Sequence, residues 1–330
     1  MFPTDSAPAS AGLPVIIDTD PGIDDMLALL LALNSPELDV RGISVSYGNT
    51  TVENAYRNAV AIVRLAGKRV RLAVGARRPL TRAFVGAAET HGSSGLGYAA
   101  LPPPGVTLDF IRPLERLLKE QTESVTLVTL GPLTSLALAL RSDAGLVRAT
   151  VSRHIAMVGT LDAPGNTTPF SEFNAWCDPE ALATVLRAGL PSELVGLDVT
   201  RRFVLARADV EALGGAEGDR ARFLFDALRF YVEFHRTAER LDGCVANDVL
   251  PIALLLEPQV LEFEPALVAV DLTDDDHRGR TRLAAEGEPG ASSVRVARKV
   301  QVEVARALLT DRVLRWAEER HGAPVGEPTR

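Results

Sequence analysis

Pro14-Val15-Ile16-Ile17-Asp18-Thr19-Asp20-Pro21-Gly22-Ile23-Asp24-Asp25-Met26-Leu27-Ala28-Leu29-Leu30 is the stretch from which the rest of the chain can be read. A short apolar run ends in carboxylates, Pro-Gly supplies a turn, and an apolar segment of helical period follows. This is a buried strand feeding a helix. The same alternation repeats outward from it. Runs rich in Val and Ile at 15–18, 40–45, 70–74, 125–130, 154–158 and 194–199 read as strands. The segments 24–33, 52–66, 114–120, 133–140 and 179–188 read as helices. Strands alternating with helices predict an α/β fold, a Rossmann-like mostly parallel sheet flanked by helices. Ligands bind such sheets outside the carboxyl ends of the strands, so polar residues just after each strand are the site candidates.

The second half changes character. Helices are expected over 223–240 and 248–256, strands at 267–271, 281–285 and 293–300, a hairpin turn at 274–279, and a last helix over 302–319. This is a C-terminal helical and β-hairpin elaboration. No Ser/Gly linker or internal repeat divides the chain, which predicts one domain over 14–320 between flexible tails at 1–13 and 321–330.

Composition narrows the function classes. With 46% hydrophobic and 24% charged residues the chain suits a globular domain with ample core. A net charge of -8 and a pI near 5.3 speak against the basic face that nucleic-acid binding needs. Two cysteines, Cys177 and Cys244, build no disulfide framework and favour a reducing compartment. The N-terminus has no signal-peptide pattern, and no apolar run approaches the ~20 residues a membrane span requires. A cytoplasmic protein with no membrane or nucleic-acid partner is expected.

Asp18, Asp20, Asp24 and Asp25 place four like charges at the end of the first strand. Asp24 and Asp25 suit the positive end of a helix dipole and Asp18 a turn, which accounts for part of the cluster. The remaining repulsion calls for a cation, and hard oxygen donors select calcium or magnesium. A strand followed by Asp-x-Asp also opens the haloacid dehalogenase-like phosphatases, but those typically continue Gly-Thr where this chain has Pro21-Gly22.

The 18–25 segment resembles the signature of the inosine-uridine preferring nucleoside hydrolase family. Tyr47-Gly48-Asn49-Thr50, His91-Gly92-Ser93-Ser94-Gly95-Leu96-Gly97 and Thr129-Leu130-Gly131-Pro132-Leu133-Thr134 resemble its later turns. Gly165-Asn166-Thr167-Thr168-Pro169, Glu172-Phe173-Asn174, Asp178-Pro179-Glu180-Ala181 and Gly196-Leu197-Asp198-Val199-Thr200 follow in the family's order. Each block is weak by itself; the ordered set is specific and covers most of the chain. The resemblance implies the nucleoside hydrolase fold and calcium-dependent hydrolysis of ribonucleosides to ribose and free base. It also implies a role in nucleoside salvage and a homodimer or homotetramer. Asp20, Asp25, the Leu130 carbonyl and Asp248 would ligate Ca2+, with Asp20 as general base for the attacking water. Asp24, Asn49, Asn166, Glu172 and Asn174 would hold the sugar.

These residue types suit the chemistry. Cleaving an N-glycosidic bond develops oxocarbenium character on the ribose, which a ring of carboxylates favours. Ribose hydroxyls need both donors and acceptors, and a Glu with several Asn supplies both. Against this, Asn166 alone fits a plain polar loop. Glu172 and Asn174, set among Phe170, Phe173 and Trp176, do not.

One position departs from the family pattern. Members that prefer purine or broad substrates usually carry a His, the acid for the departing base, just before the last metal-binding Asp; this chain has Asn247 before Asp248. An amide hydrogen-bonds but supplies no proton. His91, in its glycine loop, and Tyr231 with His235, on the helix before Asp248, are the other candidates at the base. A leaving group that needs no protonation, such as a pyrimidine, nicotinamide or a modified base, would tolerate Asn247. A nucleoside- or ribose-binding protein with little turnover is the contrasting reading, opposed by the retained Asp20. Cys244, His154, His277 and the Asp274-Asp275-Asp276 run read as packing, strand and solvated-turn residues, and Asp178-Pro179-Glu180 as a helix cap.

Overall fold

A computed structural model describes residues 12–101 and 113–319. The first half alternates as expected: β1 (Leu13–Thr19), α1 (Ile23–Leu33), β2 (Leu38–Val45), α2 (Val52–Leu65) and β3 (Leu72–Val74). Then come α3 (Ala88–His91), α4 (Leu114–Lys119), β4 (Val125–Thr129), α5 (Thr134–Thr150) and β5 (Val151–Ala156). Next are α6 (Phe173–Cys177), α7 (Pro179–Arg187), β6 (Ser192–Leu194), α8 (Leu197–Thr200), β7 (Val204–Ala206) and α9 (Arg207–Gly215). They are followed by α10 (Asp219–Ala238), β8 (Gly243–Val245), α11 (Val249–Leu256), β9 (Leu261–Val270), β10 (Thr281–Leu283) and β11 (Ser292–Val300). The described chain closes with α12 (Val302–Leu309), a π-helical turn over Thr310–Leu314, and α13 (Arg315–Glu318).

Nine strands form one sheet in the order β10-β9-β11-β6-β5-β4-β1-β2-β3, and β7 pairs with β8 apart from it. All pairs from β3 across to β11 are parallel; only β9 runs against its neighbours. The strand sequence turns back between β1 and β4: β2 and β3 follow β1 to one side, β5 and β6 follow β4 to the other. A crevice opens at the carboxyl ends of strands at such a reversal.

The continuous apolar run of β1 follows from burial on both faces. Val15 and Ile17 pack into one core, and Ile16, pointing the other way, into a second. Helix α1 is buried at every residue, acidic pair included, and α11 has no polar side chain at all. Two core helices therefore start beside the crevice. Among the described residues, no helix is long and apolar enough to cross a membrane.

Several boundaries differ from those expected. The strand expected over 194–199 instead spans Ser192–Leu194, and Leu197–Thr200 forms α8, whose N-cap Gly196 lies too close to the Gly159 carbonyl for any side chain. The helix expected over 133–140 continues to Thr150 through non-helical Asp143. The single helix over 302–319 contains the π turn. Strand β9 begins at Leu261, six residues before its apolar core. Short α3, α6 and α8, and the β7–β8 pair, carry too few residues for a period to register. Of the tails expected at 1–13 and 321–330, Leu13 opens β1, Gly12 is described, and the remainder lies outside the described residues.

Candidate active site

The crevice between β1 and β4 is floored by aspartates. Asp20 follows β1, Asp24 and Asp25 sit in the first turn of α1, and Asp248 is the N-cap of α11; all are nearly inaccessible. Oxygens of Asp24, Asp25 and Asp248 lie within 4.8 Å of one another. Asp20 is held in place by backbone on both sides. Gly48 and Gly131 flank it so closely that a Cβ on either would fall on its carboxylate. Asn49 N donates to its Oδ2 at 2.6 Å, while its Oδ1 has no partner. Asp25 accepts from Thr19 Oγ1, from Gly22 N at 2.9 Å and from Asn49 Nδ2 at 2.9 Å.

Burial, and after it the Asp25 and Asp24 charges, holds the Asp20 carboxyl well above the usual range. Burial followed by the charges of Asp24, Asp25 and Asp20 does the same to Asp248. With its carboxyls ionised the cluster would thus carry more negative charge than its surroundings offset, and buried oxygens of Asp20 and Asp24 stand without hydrogen bonds. Every donor atom is oxygen. The residues present fit a hard divalent cation.

A cleft opens over the cluster. Glu172 forms the start of α6 and caps it: Oε1 accepts from Asn174 N at 2.7 Å, Oε2 from Gly159 N at 2.9 Å and Ala175 N at 3.0 Å. Burial raises its carboxyl to about 7 despite these donors. Asn174 Nδ2 donates to the carbonyls of Leu130 at 2.6 Å and Met157 at 3.0 Å, which leaves its Oδ1 to accept. Asn166, more exposed, accepts from Phe173 N at 2.9 Å and keeps its amide protons free.

At the opposite wall are α3 and α10. His91 Nδ1 accepts from Ile23 N at 3.1 Å, so the neutral ring carries its proton on Nε2. Burial pulls His91 down to about 4. His235 Nδ1 lies 2.8 Å from the Tyr231 carbonyl, which can only accept, so its neutral ring has a lone pair on Nε2. Tyr231 sits between the two imidazoles, with ring centroids 5.3 Å from His91 and 4.4 Å from His235. Asn247 Nδ2 donates to Asp24 Oδ2 at 3.3 Å and its Oδ1 is unpartnered.

All the residues expected to bind sugar or base line one cleft, with Asn247, Leu130 and Asp248; Asp20 and Asp25 lie beneath them. His235, a candidate at the base from its place on the helix before Asp248, is buried beside the cleft. The sequence reading missed Thr90, Thr167, Arg201, Phe234 and Glu239, which also face the cleft. Arg201 and Glu239 pair across it at 3.6 Å; only the helical spacing of Tyr231, His235 and Glu239 hinted at one face. His154 is a strand residue bonded to Thr129 and Ser192, Cys244 is packed in the core, and Asp178 caps α7 through Ala181 N at 3.0 Å.

A model of the family described as inosine-uridine preferring nucleoside hydrolase matches residues 15–307. A pyrimidine-specific ribonucleoside hydrolase, RihA, of Photobacterium profundum is 37% identical over 273 residues, 81% of this chain and 87% of that protein. RihA of an Enterobacter species is 38% identical over 275 residues, 82% of this chain and 87% of its own. Among solved structures, a purine-preferring ribonucleoside hydrolase from Gardnerella vaginalis superposes with a TM-score of 0.84 at 29% identity, covering 92% of this chain and 99% of that one.

Proposed function

Because the chain belongs to the inosine-uridine preferring nucleoside hydrolase family, we propose that the aspartate-floored cleft is where it binds calcium and cleaves its substrate. The protein is an enzyme that hydrolyses ribonucleosides at the N-glycosidic bond. The observation that carries the site assignment is the buried all-oxygen cluster opening into one cleft at the strand reversal. Asp20, Asp25, Asp248 and the Leu130 carbonyl would hold the ion, with Asp24 at its edge. When bound there, calcium supplies positive charge and Lewis acidity.

The remaining steps belong to the protein's own groups. Asp24, Asn49, Asn166, Glu172 and Asn174 take the ribose hydroxyls, the amides donating or accepting through the atoms that the fold leaves free. Asp20, fixed between two glycine backbones, accepts the proton of the attacking water from one defined direction. The surrounding carboxylates favour the positive charge growing on the ribose. A site committed to those hydroxyls discriminates against 2′-deoxynucleosides by up to ~10⁴-fold.

Asn247 hydrogen-bonds Asp24 and delivers no proton, so the departing base is stabilised by hydrogen bonds instead. His91 presents an Nε2–H donor and His235 an Nε2 lone pair, a donor and an acceptor on one wall. A pyrimidine, which spreads its departing negative charge onto a ring carbonyl, matches this pairing, and the RihA relatives are named for pyrimidine specificity. Nicotinamide riboside and modified-base ribosides are the alternatives. Two buried, unpaired thiols support a reducing cytoplasmic setting, where the enzyme would serve nucleoside salvage as a homodimer or homotetramer. The test is release of base and ribose from uridine, cytidine, inosine and nicotinamide riboside, with calcium and with excess chelator. Calcium-dependent release led by the pyrimidines is expected. Saturable binding without release from any of them would replace catalysis by a binding role.

A further inference from the structure

Arg278 is a fully buried arginine far along the chain from every residue assigned above. It lies in the turn between β9 and β10, and buried charge is tolerated only when paired. Its guanidinium meets both oxygens of Glu180, at 3.2 and 3.0 Å. Burial would raise the Glu180 carboxyl, but Arg278 outweighs it and holds the carboxyl below its ordinary value. Glu180 stands in the first turn of α7, so the pair bolts the turn to the frame. Gly279, at φ +73, closes the joint against the Ala175 carbonyl and the Trp176 Cα, with no room for a side chain.

The other side of the same turn grips the loop before Glu172. Ser171 Oγ donates to the Arg278 carbonyl at 2.6 Å, and Thr168 Oγ1 to the Asp276 carbonyl at 2.7 Å. The Phe170 ring stacks on His277 at 4.3 Å with planes 12° apart. The loop is itself folded into a unit, Asn166 and Thr167 N both bonding to the Ser171 carbonyl at 3.2 Å. A displacement of Ser171 therefore moves Asn166 and, one residue on, Glu172.

We propose that Arg278, anchored on Glu180, is a positioning residue that sets the 165–172 loop at the ribose. It acts through Ser171 and Thr168 and touches no substrate. The proposal rests on the ribose-binding role given to Asn166 and Glu172. Misplacing a binding group by about an ångström can cost up to ~10²-fold, and the loss falls on KM because the loop binds rather than reacts.

Three variants test it. T168V/S171A/H277A cuts the loop from the turn and leaves the buried ion pair intact; R278M removes the pair, and R278K restores charge without the bidentate fork. The measurements are amide hydrogen exchange over 165–171 and steady-state kinetics with uridine and inosine in calcium. In the triple variant, loop exchange should quicken about tenfold and KM rise about tenfold with kcat within about threefold. R278K should fall between wild type and R278M. If R278M does not fold, R278K and the triple variant decide together: R278K must shift loop exchange and KM in the same direction as the triple variant, and wild-type values in R278K overturn the role of Arg278. Unchanged loop exchange, or faster exchange with unchanged KM, overturns the proposal. Absence of base release by the wild type would instead strike at the assigned reaction, while exchange would still report on the brace.

Discussion

Asp20 has its carboxylate trapped between Gly48 and Gly131, with one oxygen donor-bonded and the other free. D20N keeps the shape and removes the carboxylate proposed as base, so turnover should drop by about 10²–10⁴-fold with an unchanged far-UV spectrum. Near-wild-type turnover would dismiss Asp20 from that role. G131A should be almost as damaging, since its methyl group pushes the same carboxylate aside. N247A, by contrast, removes a hydrogen bond to Asp24 and no proton source. Its kcat/KM should fall about tenfold; a loss beyond about a thousandfold would mean that the amide does more than orient Asp24. The aspartates were legible because four of them crowd one strand end. Arg201, Phe234 and Glu239 were not, since they are ordinary residues on α10 and beyond α8 that only packing brings to the cleft. His235 was legible as a base-side candidate, but its burial by the inward face of α10 was not.

Among the elements, the long ones could be read from their periods. Strand β1 alternates between two cores, and α2 begins where Thr51 caps Asn54 N. Helix α6 could not, because its five residues owe their helicity to the Glu172 carboxylate rather than to any apolar stripe. Helix α7 does carry its signal in sequence, and Asp178 also receives Leu80 N and Thr134 Oγ1, both close to the cleft loops. D178A should destabilise the protein by about 2 kcal/mol in denaturant unfolding, the upper end for a lost cap. Strand β5 brings a pH dependence. Burial lowers His154 from 6.5 to about 4. The unfolded chain takes up this proton first, so stability present above pH ~6.5 is lost as pH falls towards ~4. Wild type should lose about 3 kcal/mol more than H154Q between pH 7 and 4; parallel curves would contradict a neutral buried imidazole.

For the molecule as a whole, the fold class followed from the strand–helix alternation, while the position of the strand reversal did not. Nothing in the chain's local pattern says that β4 lies beside β1 and not beside β3; long-range pairing decides it. That reversal brings residues from distant segments around one excess of negative charge, which couples metal to folding. Saturating calcium at about a hundred times its dissociation constant should stabilise the protein by about 3 kcal/mol, read as a rise in melting temperature that excess chelator reverses. No shift with calcium or magnesium would mean that the aspartates hold no such ion. The same strand order has a consequence for solubility. Among the described residues the outermost strands of the sheet are β3 and β10, three residues each, and they cover only Ile43–Val45 of β2 and Val268–Val270 of β9. The stretch of β9 that β10 leaves uncovered carries exposed Glu262, Glu264 and Pro265; charge and a missing peptide donor discourage a second sheet from zipping against it, so the side chains, and not the short outer strand, guard this margin against growth into a fibre.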